Sequence, residues 1–218
     1  MSNISTFSSA AVERFRLNQK QFVLISNNCW GYELYNLLGR AYNTPFVGVF
    51  LFADCYLKLL ENFSDCMNST LKFSEYSKYV STPQYPVGVL FGGVEIHFLH
   101  YSTRQDALEK WNRRSDRLLA EINCGTPIYI KICDRDGCTS DHLRRFHEIS
   151  FGNKLSIGVA AFDSPNHVCV PMLGVSCGSC VVDGLKLFRR RYRYFDISDW
   201  IQVGIVRRSL MSRVLSLM

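Results

Sequence analysis

The stretch Gln21-Phe22-Val23-Leu24-Ile25-Ser26-Asn27-Asn28-Cys29-Trp30-Gly31 decides the fold. Its first half is a short apolar run of strand formers, and Ser26-Asn27-Asn28 are turn residues that end it. Beyond the turn, Tyr32, Leu34, Tyr35, Leu37 and Leu38 recur at helical spacing, and Gly39 stands where a helix would stop. Strand, polar turn and helix in that order are the opening unit of an α/β fold.

Upstream, residues 8–19 read as a short leading helix. Downstream, the apolar Pro45 to Phe52 runs into Asp54 to Leu60, read most simply as a helix. Val87 to Phe91 and Val94 to Phe98 flank Gly92-Gly93 and read as a tight hairpin, which would make the sheet mixed. Ser102, with Gln105 three residues on, reads as the capping box of a helix whose buried stripe is Ala107, Trp111, Leu118 and Ile122. Pro127 to Cys133 reads as a strand that breaks at Asp134-Arg135-Asp136-Gly137, and Thr139 as the N-cap of the helix carrying Leu143 and Phe146. Leu155 to Ala161 and Val168 to Val170 supply further strands. The expectation is a three-layer α/β/α domain over residues 1–218, with a mixed, mostly parallel sheet. Val206, Leu210, Val214 and Leu217 mark a basic amphipathic C-terminal helix over about 203–218, read first as packing on its own domain and alternatively as lying on an anionic membrane.

With 218 residues, 47% of them hydrophobic and a mean hydropathy of −0.01, the chain is long and apolar enough for one buried core. No apolar run reaches the roughly 18–20 residues of a spanning helix, and the polar start of the chain does not read as a secretory signal. Nine cysteines, an odd number set largely inside apolar runs, read as reduced thiols in a cytoplasmic protein. The net charge of +6 is concentrated late, at Arg189, Arg190, Arg191, Arg193, Arg207, Arg208 and Arg213. It is a solvated basic surface or one that faces an anionic partner.

Two loops follow an apolar strand and precede a helix, where ligands collect in open α/β sheets. In the first, Ser26 and Cys29 are candidate nucleophiles. Asn27 and Asn28 offer amide donors for an oxyanion, and Trp30 and Tyr32 offer flat faces for a sugar or an adenine. The structural alternative is a capped turn with Cys29 packed inside. In the second, Asp134 and Asp136 have the spacing of the Asp-x-Asp pair with which nucleotide-sugar glycosyltransferases hold a divalent ion. The alternative there is a turn aspartate beside one paired with Arg135 or Arg144. Among the histidines, His100, at a strand end, is the better base, His97 reads as half-buried, and His167 follows Asp163 too distantly to match an esterase block. Cys177 and Cys180 have the spacing of half a zinc site but lack a second pair, so no metal is assigned.

The stretches Val23 to Gly31, Tyr42-Asn43-Thr44-Pro45-Phe46-Val47-Gly48, Glu95 to Tyr101, Trp111-Asn112-Arg113-Arg114 and Asp134 to Cys138 together resemble a bacterial family. It is domain of unknown function nineteen-nineteen, often labelled exopolysaccharide biosynthesis protein. The resemblance runs in order from about Gln21 to Trp200. It implies a three-layer α/β fold and a role in exopolysaccharide, capsule or O-antigen synthesis, without agreed catalytic residues. Asn28-Cys29 is also similar to the Gly-Asn-Cys-Gln element of a capsule-biosynthesis family that binds coenzyme A, with Asn27 and Trp30 replacing its glycine and glutamine. The leading expectation is therefore acyl transfer, from a donor such as acyl-coenzyme A, to a sugar hydroxyl of a saccharide or lipid-linked glycan. Cys29 or Ser26 would act as nucleophile or orienting group, Asn27 and Asn28 as oxyanion donors, and His100 as base oriented by Asp134 or Asp136. Tyr32, Tyr42 and Asn43 would contact substrate. The alternatives are a metal-dependent glycosyltransferase and a non-catalytic accessory protein that binds sugar or lipid, with peripheral membrane contact through its basic end. Nucleic acid is not favoured as a partner.

Overall fold

The computed structural model describes residues 2–174 and 180–207, with the side chains of residues 2–9 and 172 excepted. After α1 (Ser2–Leu17), strand β1 (Val23–Ser26) leads into α2 (Trp30–Leu38), closed by Gly39 in the left-handed region. Next come α3 (Ala53–Glu61), α4 (Phe63–Asn68) and the short strands β2 (Lys72–Ser74), β3 (Val87–Leu90) and β4 (Val94–His97). Helix α5 (Arg104–Asn123), β5 (Ile128–Cys133), α6 (Ser140–Glu148), β6 (Asn153–Gly158) and β7 (His167–Cys169) follow. The described chain then runs through α7 (Gly184–Arg189) and α8 (Ile197–Val203).

The fold is α/β. Strands β1, β5, β6 and β7 form one sheet in the order β1-β5-β6-β7, and every pairing in it is parallel. Both faces of this sheet are covered. Val23, Ile25, Ile130 and Ile132 point into a core shared with α3, α5 and α6. Leu24, Tyr129, Cys133, Leu155 and Ile157 point the other way, into a core with α1, α2, α7 and α8. Alternate residues of each strand thus feed opposite cores, which is why β1 and β5 read as unbroken apolar runs.

The hairpin does not join this sheet. It pairs with β2 in a second, antiparallel sheet of order β2-β3-β4, with Gly92 and Gly93 supplying the two positive φ values of its turn. The stretch from Pro45 to Phe52 is not helical. It is a wall segment linking the two sheets, bonded to the turn after β1 through Leu51 N–H to Asn27 O and bridged to β4 through Phe50 and His97. Helix α5 is capped by Thr103, whose hydroxyl accepts from Asp106 N–H, rather than by Ser102. The Thr139 cap of α6 is present, completed by His142 at its third position. At the C-terminus α8 stops at Val203 because Gly204 turns left-handed. Residues 204–207 are not helical, so the helix expected from 203 is absent as far as Arg207. Leu210, Val214 and Leu217 lie outside the described residues.

Candidate active site

Because β1 and β5 are parallel neighbours, with Ser26 opposite Lys131, the turns that leave them meet at one end of the sheet. Asn28 begins the arrangement: its Oδ1 accepts from Trp30 N–H, the first helical amide of α2. Cys29 is the N-cap of α2, a position whose partial positive charge favours an anion. The Cys29 side chain makes no capping bond there. Helix α7 abuts the same turn. A Cβ at Gly184 would lie 2.7 Å from Trp30 N and 2.9 Å from Asn28 Oδ1, so only glycine lets α7 come this close.

A cavity of about 840 Å³ opens above this turn, a volume suited to a ligand of drug or cofactor size. Cys29 and His100 both line it, with Cys29 Sγ 3.3 Å from His100 Nε2. The walls are largely aromatic, from Tyr32, Tyr42, Phe50, Tyr85 and Tyr101. Arg114 and Arg135 supply positive charge, and Asp136 and Asp183 negative charge. Arg114 is fixed by its bond to Tyr101 Oη at 2.6 Å and by its stacking over the Tyr42 ring. Arg135 donates to Val181 O.

Burial pushes the Cys29 thiol above the ordinary range. Lys131 and the thiol's own backbone amide oppose that rise, while Asp136 and Asp183 add to it. The resting group is thus a neutral thiol in contact with an imidazole that can take its proton. Burial also raises the Asp136 carboxyl, against the pull of Arg135, Lys131 and a bond from Asn28. Asp136 adopts a φ of 58°, left-handed although it is not a glycine, and its carbonyl accepts from Ala53 N–H at the start of α3.

The sequence candidates divide sharply. Cys29, His100, Asn28, Tyr32, Tyr42 and Asp136 converge on the cavity. Ser26 does not: it is fully buried in β1, and its hydroxyl accepts from Asn28 N–H. Trp30 is equally sealed, packed among Phe188, Phe195 and Trp200, so it offers no face to a substrate. Asn27 is buried below the turn, and Asn43 links Tyr35 Oη to Phe22 O. Asp134 spends both carboxylate oxygens on the backbone amides of Val159 and Val181. The two aspartates therefore do not form a metal pair, and neither bonds His100. Among the described residues no cluster of three or more histidine, cysteine or carboxylate groups is placed to hold a metal ion. Cys29, Cys55, Cys66, Cys124, Cys133, Cys138 and Cys169 are free thiols, and Cys177 lies outside the described residues. His97 is fully buried rather than half-buried, and neither ring nitrogen has a hydrogen-bond partner.

Sequence reasoning missed Lys131. It is fully buried at the centre of β5, directly beneath the turn, and its Nζ donates to Asn27 Oδ1 at 3.2 Å and Asn28 Oδ1 at 3.1 Å. The signal was available: a lysine in the middle of Ile128-Tyr129-Ile130-Lys131-Ile132-Cys133 cannot stay buried without partners. Arg114, Tyr85 and Tyr101 were not legible as site residues, because they reach the cavity from elements distant in sequence.

The fold and the site define an α/β protein with a cysteine–histidine pair in a pocket at the carboxyl ends of a parallel sheet. Residues 1–202 match the family described as Domain of unknown function (DUF1919), and the chain belongs to it. An uncharacterized protein of Haemophilus influenzae is 33% identical over 140 residues. That alignment covers 64% of this chain and 63% of the relative, so the chain matches less than two thirds of that relative's length. No helix among the described residues is long and apolar enough to cross a membrane.

Proposed function

We propose that this protein is a thiol-dependent acyltransferase that modifies sugar hydroxyls during exopolysaccharide, capsule or O-antigen synthesis, acting on the cytoplasmic side. The observation that carries the reading is the 3.3 Å contact of Cys29 Sγ with His100 Nε2 at the N-terminus of α2, inside the cavity. A nucleophile, a base within reach and the positive end of a helix for a developing oxyanion are what acyl transfer requires. The donor assigned is an acyl thioester such as acyl-coenzyme A, with Arg114 and Arg135 facing its anionic portion. The tyrosines supply flat, hydroxyl-bearing walls for a saccharide.

In the first half-reaction His100 Nε2 takes the Cys29 proton as Sγ attacks the thioester carbonyl. Amides at the start of α2 receive the developing oxyanion. The donor carbon–sulfur bond breaks, and the departing thiolate takes the proton back from His100. In the second half-reaction a sugar hydroxyl gives its proton to His100 and attacks the Cys29 thioester. Cys29 leaves as a thiolate and recovers that proton, so thioester and alcohol become ester and thiol. The raised thiol makes the imidazole necessary, because little thiolate exists before transfer. Metal-assisted glycosyl transfer is the weaker reading, since Asp134 is committed to two backbone amides.

The test in cells is mass spectrometry of surface glycan from a deletion strain complemented with the wild type or with Cys29→Ala. The wild type should restore O-acyl groups and the variant should not. Full acylation with Cys29→Ala would overturn the nucleophile, and a glycan unaltered by the deletion would overturn the activity.

A further inference from the structure

The turn that presents Cys29 rests on a charge in the interior. Lys131 Nζ has two amide oxygens and a ring around it: Asn27 Oδ1, Asn28 Oδ1 and the Trp30 indole, whose ring centre is 5.6 Å away. An ammonium has donors only, so it dictates which end of each amide faces inward. With both Oδ1 atoms held by Lys131, Asn28 Nδ2 faces Cys133 Sγ at 3.1 Å, and the same side chain bonds Asp136. Asn28 Oδ1 also accepts the first helical amide of α2. One lysine thus sets the rotamers of two asparagines, the start of α2 and the wall carboxylate.

No carboxylate forms an ion pair with Lys131 among the described residues, although burying a cation without one is costly. The fold accepts that cost against Asn28, the residue next to Cys29. Lys131 does not line the cavity, so it cannot touch a substrate there.

We propose that Lys131 is the positioning residue of this site, holding the Asn27-Asn28 turn in the geometry that presents Cys29 and placing a positive charge beneath the thiol. This role deepens the acyltransfer reading and rests on it for its catalytic meaning, but the thiol effect is measurable without any acyl donor. Lys131 lowers the Cys29 thiol against the rise that burial imposes. Loss of the charge should therefore make the thiol still harder to ionise.

The test is the pH profile of Cys29 alkylation by iodoacetamide, followed by peptide mass mapping so that other thiols are counted separately. Two variants are compared with the wild type. Lys131→Met removes charge and donors, while Lys131→Gln removes the charge but keeps an amide donor on a shorter side chain. Both should raise the alkylation midpoint by about one pH unit, a roughly tenfold slower reaction below it. Lys131→Met alone should also loosen the turn, seen as faster amide exchange at Trp30 and Gly31. A folded Lys131→Gln protein with an unchanged midpoint would overturn the proposal, whether or not Lys131→Met folds. Should Cys29 fail to accept an acyl group while the midpoint still shifts, the acyltransfer reading falls and the role of Lys131 stands. Should Cys29 accept an acyl group while the midpoint stays fixed, acyl transfer stands and the role of Lys131 falls.

Discussion

At the cavity, His100 meets Cys29 Sγ at 3.3 Å, whereas at β6 both His147 and His167 meet Ser156 Oγ at 2.8 Å. On residue type alone the second group has the stronger claim to be a catalytic site, with one hydroxyl between two imidazoles. Its hydrogen bonds remove that claim. His167 Nε2 donates to Ala160 O, so its Nδ1 must accept from the Ser156 hydroxyl. Ser156 Oγ then accepts from His147 Nε2, and His147 Nδ1 accepts from Ser164. Every donor and acceptor in the chain is satisfied, Ser156 is fully buried, and Phe162 stacks on His147. At the cavity, by contrast, His100 is exposed and Cys29 faces open volume at a helix start that its side chain leaves uncapped. A site is recognised by unspent hydrogen-bonding capacity beside space, and not by its residue types.

The contrast can be broken most forcefully at the cavity. Cys29→Ala should abolish transfer. His100→Ala should slow it by about 10²–10⁴-fold, the range for loss of a general base, with folding intact by circular dichroism. Ser156→Ala should do the reverse, leaving transfer unchanged while costing about 1–3 kcal/mol in denaturant unfolding, because two half-buried imidazoles lose a partner. Transfer that failed with Ser156→Ala and survived His100→Ala would exchange the roles of the two regions. Gly184→Ala lies between these cases: the added carbon must push the Asn28-Trp30 turn, so it should cost about 1–3 kcal/mol and slow Cys29 alkylation.

The smallest effect is one of pH. Burial holds the His147 and His97 rings down at about 4, from an ordinary 6.5, and lowers His167 as well. Such groups bind protons more readily in the unfolded chain. Their contribution to stability is therefore complete above about pH 6.5 and is lost as pH falls towards about 4. Denaturant midpoints measured across that window should fall with acid. In a His147→Gln variant they should fall less steeply.

How much of the molecule is legible in its sequence follows from how local each determinant is. The β1-turn-α2 unit is readable because apolar periodicity, turn residues and the Gly39 stop all lie within one short stretch. That β1 and β5 are neighbours, which brings both loops into one crevice, is a pairing of residues more than a hundred positions apart and leaves no local trace. The separate hairpin sheet escapes for the same reason, since its place is set by the Phe50–His97 bridge. Asp134 and Asp136 look equivalent by spacing. The left-handed Asp136 turns one carboxyl into the cavity while Asp134 faces backbone amides, a division that backbone angles make and spacing cannot show. Trp30 and Ser26 depart from expectation because the turn is buried on both sides of Cys29, in the strand end before it and the helix start after it.

The central claim is that Cys29 is a nucleophile served by His100, and covalent capture tests it most directly. The purified protein, incubated with acetyl-coenzyme A and analysed by intact mass and peptide mapping, should carry one acetyl group on Cys29. The group should form far more slowly with His100→Ala and be absent with Cys29→Ala. Acetylation that bypasses Cys29, or proceeds at the wild-type rate without His100, would contradict the claim.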